Sequence, residues 1–196
     1  MAAYFTIASP AQGLYKEKMS KFISFAIPVH SAAEAKAEIE RIANDYHDAR
    51  HVCWAYMIGS ARTEYLSSDN GEPSGTAGKP ILGQINSFNL TNILIVVVRY
   101  FGGIKLGTSG LIVAYRTAAR EAIEAAEIVE DKDYCTLSFH FPYIALNDVM
   151  KLTKHPGVTV TARNFDNECS MTLTLPDDER EAYTSRLLKI EGLTIV

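Results

Sequence analysis

The spacing of apolar residues changes character several times along the chain, and each change predicts an element. Residues 4–7 and 21–29 read as strands on either side of the turn-prone run Ser9-Pro10-Ala11-Gln12-Gly13. Ser31 followed by Glu34 forms a capping box, which satisfies backbone N–H groups left free at a helix start. It opens a helix over residues 32–48, in which Ala35, Ile39, Ile42 and Tyr46 share a face while Lys36, Glu40 and Arg41 lie mostly elsewhere. Residues 52–59 alternate weakly, as a strand does. Residues 77–88 predict a helix, with Pro80 in its first turn, where a missing N–H is tolerated. Ile93-Leu94-Ile95-Val96-Val97-Val98 is the most apolar run, and β-branched residues on both faces make residues 92–99 a buried central strand. Thr108 or Ser109 is expected to cap a helix reaching residue 127, with Leu111, Tyr115, Ala118, Ala122 and Ile123 as its core stripe.

The polar run Glu130-Asp131-Lys132-Asp133 then predicts a domain boundary, and the pattern restarts. Residues 134–141 read as a strand, and residues 142–154 as a helix ended by His155-Pro156-Gly157. Residues 158–163 and 169–175 alternate and flank a polar turn at 164–168, as a hairpin would. Asp177-Asp178-Glu179 places acids at the positive end of another helix, and residues 193–196 form a last strand. The order β-α-β-β-α-β is that of a split βαβ, ferredoxin-like domain. The expected architecture is α+β in two domains, residues 1–130 and 131–196, the second near the lower size limit for independent stability.

Composition narrows the class. The 196 residues are 47% hydrophobic and 21% charged, which is ordinary globular material. No apolar run approaches the roughly 20 residues that cross a bilayer. The start, Met1-Ala2-Ala3-Tyr4-Phe5-Thr6, lacks the basic and apolar segments of a signal peptide. Cys53, Cys135 and Cys169 are too scattered for a disulfide framework or a CxxC metal pair and read as small buried hydrophobes in a reducing cytosol. A cytoplasmic protein without a membrane partner is expected. The net charge of −4 argues against a general nucleic-acid coat. Its distribution is uneven: from Arg50 to Arg120, seven basic residues face three acids, so this stretch carries +4 and the remainder −8. A local basic face suits a phosphate-bearing partner.

Two glycine-rich blocks flank the apolar run, Asp69-Asn70-Gly71-Glu72-Pro73-Ser74-Gly75-Thr76-Ala77-Gly78-Lys79-Pro80 and Arg99-Tyr100-Phe101-Gly102-Gly103-Ile104-Lys105-Leu106-Gly107. Gly78-Lys79 suggests a P-loop, but Pro73 and Pro80 stand where that motif needs glycine and Ser or Thr. A tight loop and helix start explains Gly71, Gly75 and Gly78, with Ser74 or Thr76 placed to cap the helix. It does not explain why Glu72, Ser74, Thr76 and Lys79 crowd there. In the second block, Gly102, Gly103 and Gly107 let main-chain N–H groups converge, and Arg99 and Lys105 add charge. The helix start at Thr108-Ser109-Gly110 adds free donors and a positive dipole end. The result is an anion cradle. It lacks Rossmann spacing, and it lies between strand and helix rather than between two helices as in a KH loop. Tyr100 and Phe101 could stack on bases, although Phe101 equally suits an anchor to the core.

Elsewhere the chemistry is thin. His51 and Cys53 share a strand face, but no second ligand pair closes a zinc shell. Ser74 lacks the context of a nucleophile elbow. Asp69 and Glu72 could form a carboxylate pair, though loop acids beside lysine and arginine are usually ion-paired or solvated. No catalytic residue, metal or cofactor is assigned.

Ser20-Lys21-Phe22, His51-Val52-Cys53-Trp54-Ala55-Tyr56, the first block from Asn70 to Gly78 and Val97-Val98 with the second block carry a family likeness. The chain resembles the IMPACT/YigZ family over essentially its full length, and the last motif is highly specific. The resemblance implies an N-terminal domain with the fold of ribosomal protein S5 domain 2, shared with elongation factor G domain IV. It also implies a ferredoxin-like C-terminal domain similar to elongation factor G domain V. Asp69-Asn70-Gly71-Glu72-Pro73 stands where the family commonly has Asp-Asp-Gly-Glu-Pro, which disfavours a paired-aspartate metal site. Ala49-Arg50-His51 replaces a frequent Ala-Thr-His and thickens the basic face. The resemblance ties eukaryotic members, which carry a further N-terminal partner-binding domain, to regulation of a starvation-responsive kinase acting on translation initiation. The arrangement expected here is similar to the bacterial branch.

The expected function is a translation-linked binding module, a monomer, that recognises RNA or a ribosomal surface. Lys21, Arg50, Lys79, Arg99 and Lys105 would meet phosphates, and Tyr100 would stack on a base. Gly75, Gly102, Gly103 and Gly107 would permit close approach, with His51, Glu72, Ser74 and Thr76 completing the face. One alternative is a hydrolase-like enzyme for a small anionic substrate, with Glu72 or Asp69 as acid/base and His51 nearby. Another is a protein-interaction regulator that binds no RNA. A closed pocket joining Glu72, His51 and Arg99 favours the enzyme. An open, shallow, basic face favours nucleic acid or protein.

Overall fold

The central apolar run does become the middle strand of a sheet. The computed structural model describes residues 3–165 and 169–196 and is mixed α+β, in two compact units, Tyr4–Asp131 and Lys132–Val196. The first unit contains β1 (Tyr4–Ile7), β2 (Ala11–Glu17), β3 (Ser20–Pro28), α1 (Ala32–Asp45), β4 (His51–Ile58) and β5 (Glu64–Ser68). It continues with α2 (Gly78–Ser87), β6 (Ile93–Tyr100), α3 (Gly107–Glu124) and β7 (Ile128–Asp131). Five strands form an antiparallel sheet in the order β2-β3-β6-β4-β5, while β1 and β7 pair separately.

Strand β6 is buried on both sides because each face of the sheet is covered. Ile93, Ile95 and Val97 join Ile81 and Ile85 of α2 and Leu111, Tyr115 and Ala118 of α3. Leu94, Val96 and Val98 join Ala35 and Ile42 of α1. The two-residue period of a strand then sends Arg99 to the α2/α3 face and Tyr100 to the α1 face. The capping box of α1 is present in modified form: Glu34 N–H donates to Ser31 Oγ at 3.2 Å, and the Glu34 carboxylate accepts the N–H of His30 at 2.7 Å.

Two expectations are corrected, and one strand lay outside them. The run read as a turn before residue 14 enters β2, because Gly13 serves close packing rather than a bend. A Cβ there would lie 2.6 Å from the Ala122 nitrogen, so α3 crosses directly over the strand. Strand β5 carried no readable signal, since it is an edge strand whose residues are largely exposed and show no apolar alternation. Neither Thr108 nor Ser109 caps α3, which begins at Gly107 with no side-chain cap bond. Within the polar run expected at the boundary, Glu130 and Asp131 end the first unit as strand, paired with Phe5 and Tyr4.

The second unit contains β8 (Tyr134–Phe141), α4 (Leu146–Leu152), β9 (Thr159–Phe165), β10 (Cys169–Pro176), α5 (Arg180–Leu187) and β11 (Thr194–Ile195). Its sheet order is β11-β8-β10-β9, antiparallel throughout. Leu137, Phe139, Met171 and Leu173 form the core with Val149, Tyr183 and Leu187. The alternation expected for β9 does not reach the core: it is an edge strand exposed along its whole length. Part of the turn expected at 164–168 lies outside the described residues. Among those described, no helix is long and apolar enough to cross a membrane.

The loop after β6 is held by backbone contact. A Cβ on Gly102 would stand 2.0 Å from the Met19 carbonyl carbon, whereas one on Gly103 would meet nothing within 4 Å despite its φ of 88°. Gly103→Ala should therefore cost about 1–2 kcal/mol, the ordinary left-handed penalty. Gly102→Ala should cost about 3 kcal/mol or more, because backbone must move. Urea unfolding of the two variants gives the comparison, and equal losses would refute the close-contact account.

Candidate anion-binding cleft

Strand register builds the site. Arg99 lies opposite His51 on β4 and Phe22 on β3. Its guanidinium donates from Nη1 to Glu72 Oε1 at 2.6 Å, and the two side chains are only 7% and 4% exposed. The Arg99 Cζ lies 5.6 Å from the ring centres of both Phe22 and Phe101, a cation–π setting on two sides. The Tyr115 hydroxyl donates to the same Glu72 oxygen at 2.7 Å, and its ring meets Phe22 edge-on at 5.2 Å. The Arg99 Nε is buried without a hydrogen-bond partner. Without its carboxylate this guanidinium would be an uncompensated buried charge, which is strongly destabilising.

A second carboxylate fastens the loop that delivers Glu72. Asp69 accepts the backbone N–H groups of Gly75, Ala77 and Gly78 at 2.8, 3.0 and 2.8 Å. Burial works against its ionisation, but those three hydrogen bonds and the Lys79 charge outweigh burial and hold the carboxyl below its usual range. Asp69 thus serves as the cap for α2, and the expectation that Ser74 or Thr76 would do so is corrected. Thr76 Oγ1 instead bonds the Pro73 carbonyl at 2.6 Å, closing the loop on itself, and Ser74 is exposed. Asn70 accepts the Val52 N–H through its side chain and receives His51 Nδ1 on its carbonyl oxygen at 2.9 Å. Because a carbonyl only accepts, Nδ1 carries a proton in this contact.

The Cys53 thiol lies 2.9 Å from the Asp69 carbonyl oxygen and 3.4 Å from the Tyr115 hydroxyl. Burial, followed by the nearby Glu72 and Asp69 charges, overcomes the lowering effect of the Tyr115 bond and Arg99 and pushes the thiol up to about 12. It is a packing group, not a nucleophile at neutral pH.

Above this buried assembly opens a recess of about 440 Å³. Arg50, His51 and Lys105 join the Arg99–Glu72 pair in its lining, and Gly107 and Thr108 bring the start of α3 to its edge. Pro73, Phe101, Leu106 and Leu111 supply apolar wall. Lysine, arginine and an uncapped helix start thus surround one space, and each favours negative charge by elementary electrostatics.

The residues predicted for the site therefore divide. Arg50, His51, Glu72, Arg99, Lys105 and Gly107 come together. Gly75 and Lys79 line a separate groove between α2 and α3. Gly102 packs on the Met19–Ser20 backbone, and Gly103 supplies loop conformation. Lys21 pairs across from Tyr100 and is exposed, on the sheet face away from Arg99. Tyr100 is not at the cleft: its hydroxyl donates to Asp48 at 2.7 Å, and its ring packs beside the α1 core. Phe101 takes the wall position, half exposed. Tyr115 and Asp69 were missed as site-builders, because helical spacing marks Tyr115 only as core and nothing local reveals what Asp69 bonds. Among the described residues, no group of three or more His, Cys, Asp or Glu side chains is placed to hold a metal ion.

A sequence model of the Impact N-terminal domain matches residues 18–123. An IMPACT family member from Haemophilus influenzae is 33% identical over 190 residues, covering 95% of this chain and 92% of its own. The IMPACT family member YigZ of Escherichia coli is 39% identical over 125 residues, 63% of this chain and 61% of its own. The crystal structure of a hypothetical protein superposes over 100% of this chain and 97% of its own, with 28% identity and a TM-score of 0.77.

Two outcomes follow from the buried carboxylates. Glu72→Ala should lower stability by about 3–5 kcal/mol, since it strands the Arg99 charge. Urea unfolding measures this, and a loss under about 1 kcal/mol would show that the pair carries no such role. Asp69 has a folded pKa below its unfolded one, so its contribution is present above about pH 4 and is lost as pH falls through the folded value. Asp69→Asn should flatten the acid limb of the stability curve below about pH 4. Parallel wild-type and variant limbs would contradict the capping role.

Proposed function

The chain belongs to the IMPACT family, and from that premise we propose that it is a translation-linked binding protein whose cleft at Arg99 takes phosphate groups of RNA. The observation that carries this reading is the charge of the cleft. Arg50, Lys105 and the start of α3 converge on one space, in which Arg99 and Glu72 already neutralise each other, with Tyr115 on the same Glu72 oxygen. Such a recess attracts phosphate by charge and by oriented N–H groups. Phe101 offers a half-exposed ring for a base. The link to translation is what the family resemblance implies for its eukaryotic members.

The fold reading fits the same view. An S5 domain 2-like unit over residues 1–130 followed by a ferredoxin-like unit over 131–196 agrees with the helix-covered sheet of the first and the β11-β8-β10-β9 order of the second. Kinship with elongation factor domains is analogy and identifies no activity.

A second reading has its own support. The recess joins Glu72, His51 and Arg99, and its volume lies in the range of small-ligand sites. His51 Nε2 would be its base. Glu72 is the weaker candidate, because moving a proton would require it to leave both Arg99 and Tyr115. An enzyme acting on a small anionic substrate is therefore the alternative.

Fluorescence anisotropy with a labelled single-stranded oligoribonucleotide separates the two. The wild-type affinity should fall with salt, and Arg50→Ala/Lys105→Ala should weaken binding and reduce the log–log salt slope by about 1.4. Both side chains lie outside the buried pair, so folding is retained. An unchanged affinity and slope would reject the cleft as the RNA site. Binding of nucleoside monophosphates without binding of the oligonucleotide would favour the enzyme.

A further inference from the structure

We propose that the groove between α2 and α3 is a second phosphate subsite, held by Lys79 and Arg116, into which one RNA strand passes from the cleft across the loop of residues 73–75. The inference rests on the RNA reading of the cleft. The groove measures about 390 Å³ and takes Lys79 from α2 and Arg116 from α3, with Gln84 and Ile112 beside them. Gly75 and Gly83 complete its lining. A Cβ on Gly83 would meet nothing within 4 Å, and one on Gly75 only the Lys79 stem at 3.7 Å, so the missing side chains leave open space.

The pairing of charges singles the groove out. On the helix surfaces of this unit, Lys36 pairs with Glu40, Arg41 with Glu38 and Asp45, and Arg120 with Glu124. Each acid stands about one turn from its cation, the ordinary arrangement on an exposed helix. Lys79 and Arg116 have no such ion pair among the described residues, and the residue one turn beyond Arg116 is Arg120 rather than an acid. Asp69 feels the Lys79 charge, but its oxygens are occupied by backbone N–H groups. In a chain of net charge −4, two cations from different helices around one hollow, neither in an ion pair among the described residues, are a recognition feature for an anion.

Position then connects the groove to the cleft. Both lie along α3: Thr108 and Leu111 line the cleft, Ile112 and Arg116 the groove. Pro73 borders the first and Gly75 the second. Thr108 and Arg116 are separated by about 12 Å along the helix axis, a span covered by a few nucleotides of one strand. Lys79, named by the sequence as a partner of Arg99 at one site, belongs to the next step along the same strand.

The test uses the 196-residue chain and an oligouridylate of about eight nucleotides, with amide shifts followed by NMR and affinity by anisotropy. The expected result is shifts at Gly107 and Thr108 and also at Gly83, Gln84 and Arg116. Lys79→Ala/Arg116→Ala should weaken binding about fivefold or more at moderate salt and lower the salt slope by about 1.4, while Lys79→Arg/Arg116→Lys binds as wild type. Shifts confined to Gly107 and Thr108, with the alanine double variant binding as wild type, would overturn the subsite and leave the cleft reading standing. No shifts at either place would overturn both.

Discussion

A guanidinium and a carboxylate held out of water between β6 and the loop after β5 are the constraint on which this molecule's distinctive region depends. Arg99 projects from the last turn of the sheet's pleat into the layer occupied by Phe22, Tyr115 and Phe101, where solvent cannot screen it. Only Glu72 makes that position tolerable, and Glu72 arrives on a loop that must be fastened independently. Asp69 supplies the fastening by gathering three N–H groups at the start of α2. Two carboxylates thus perform different tasks three residues apart. One compensates a buried charge; the other replaces a side-chain cap.

This arrangement explains why glycine, proline and charge concentrate in the two blocks. Much of their chemistry is internal. The N–H groups at the start of α2 are not free to bind an outside anion, because Asp69 already occupies them. Those of α3 have no side-chain cap and open on the recess. The surface left open to an outside anion is therefore narrower than the two blocks, and it depends on which helix start was left uncapped. The loop of residues 73–75 stands between the two cationic hollows, so it shapes the surface as well as holding the interior.

Legibility varied with how local the cause was. The central strand was readable because a run of β-branched residues with no polar face has few other places to go. The α1 cap was readable because Ser31 and Glu34 act within one turn. Strand β2 was not, since Gly13 answers to α3, more than a hundred residues away in the chain. Strand β5 was not, since an exposed edge strand needs no apolar pattern. Tyr100 and Phe101 exchanged roles for a related reason: adjacent residues leave a strand end in opposite directions, and only the identity of each face decides which meets the cleft. Arg50, His51, Glu72, Arg99, Lys105 and Gly107 were all named from the sequence as parts of one face, and the structure brings them to one recess.

By itself the sequence determined the family, the α+β elements and the two blocks, because periodicity, capping and a dense motif act over a few residues. Tertiary structure decided which charges are interior and which are free. Nothing in the spacing of Asp69, Glu72, Lys79 and Arg99 says that the first fastens a helix start, that the second and fourth neutralise each other, and that the third stands unpaired. Those outcomes depend on distance and on exclusion of water, and both exist only once sheet, loop and helix have come together.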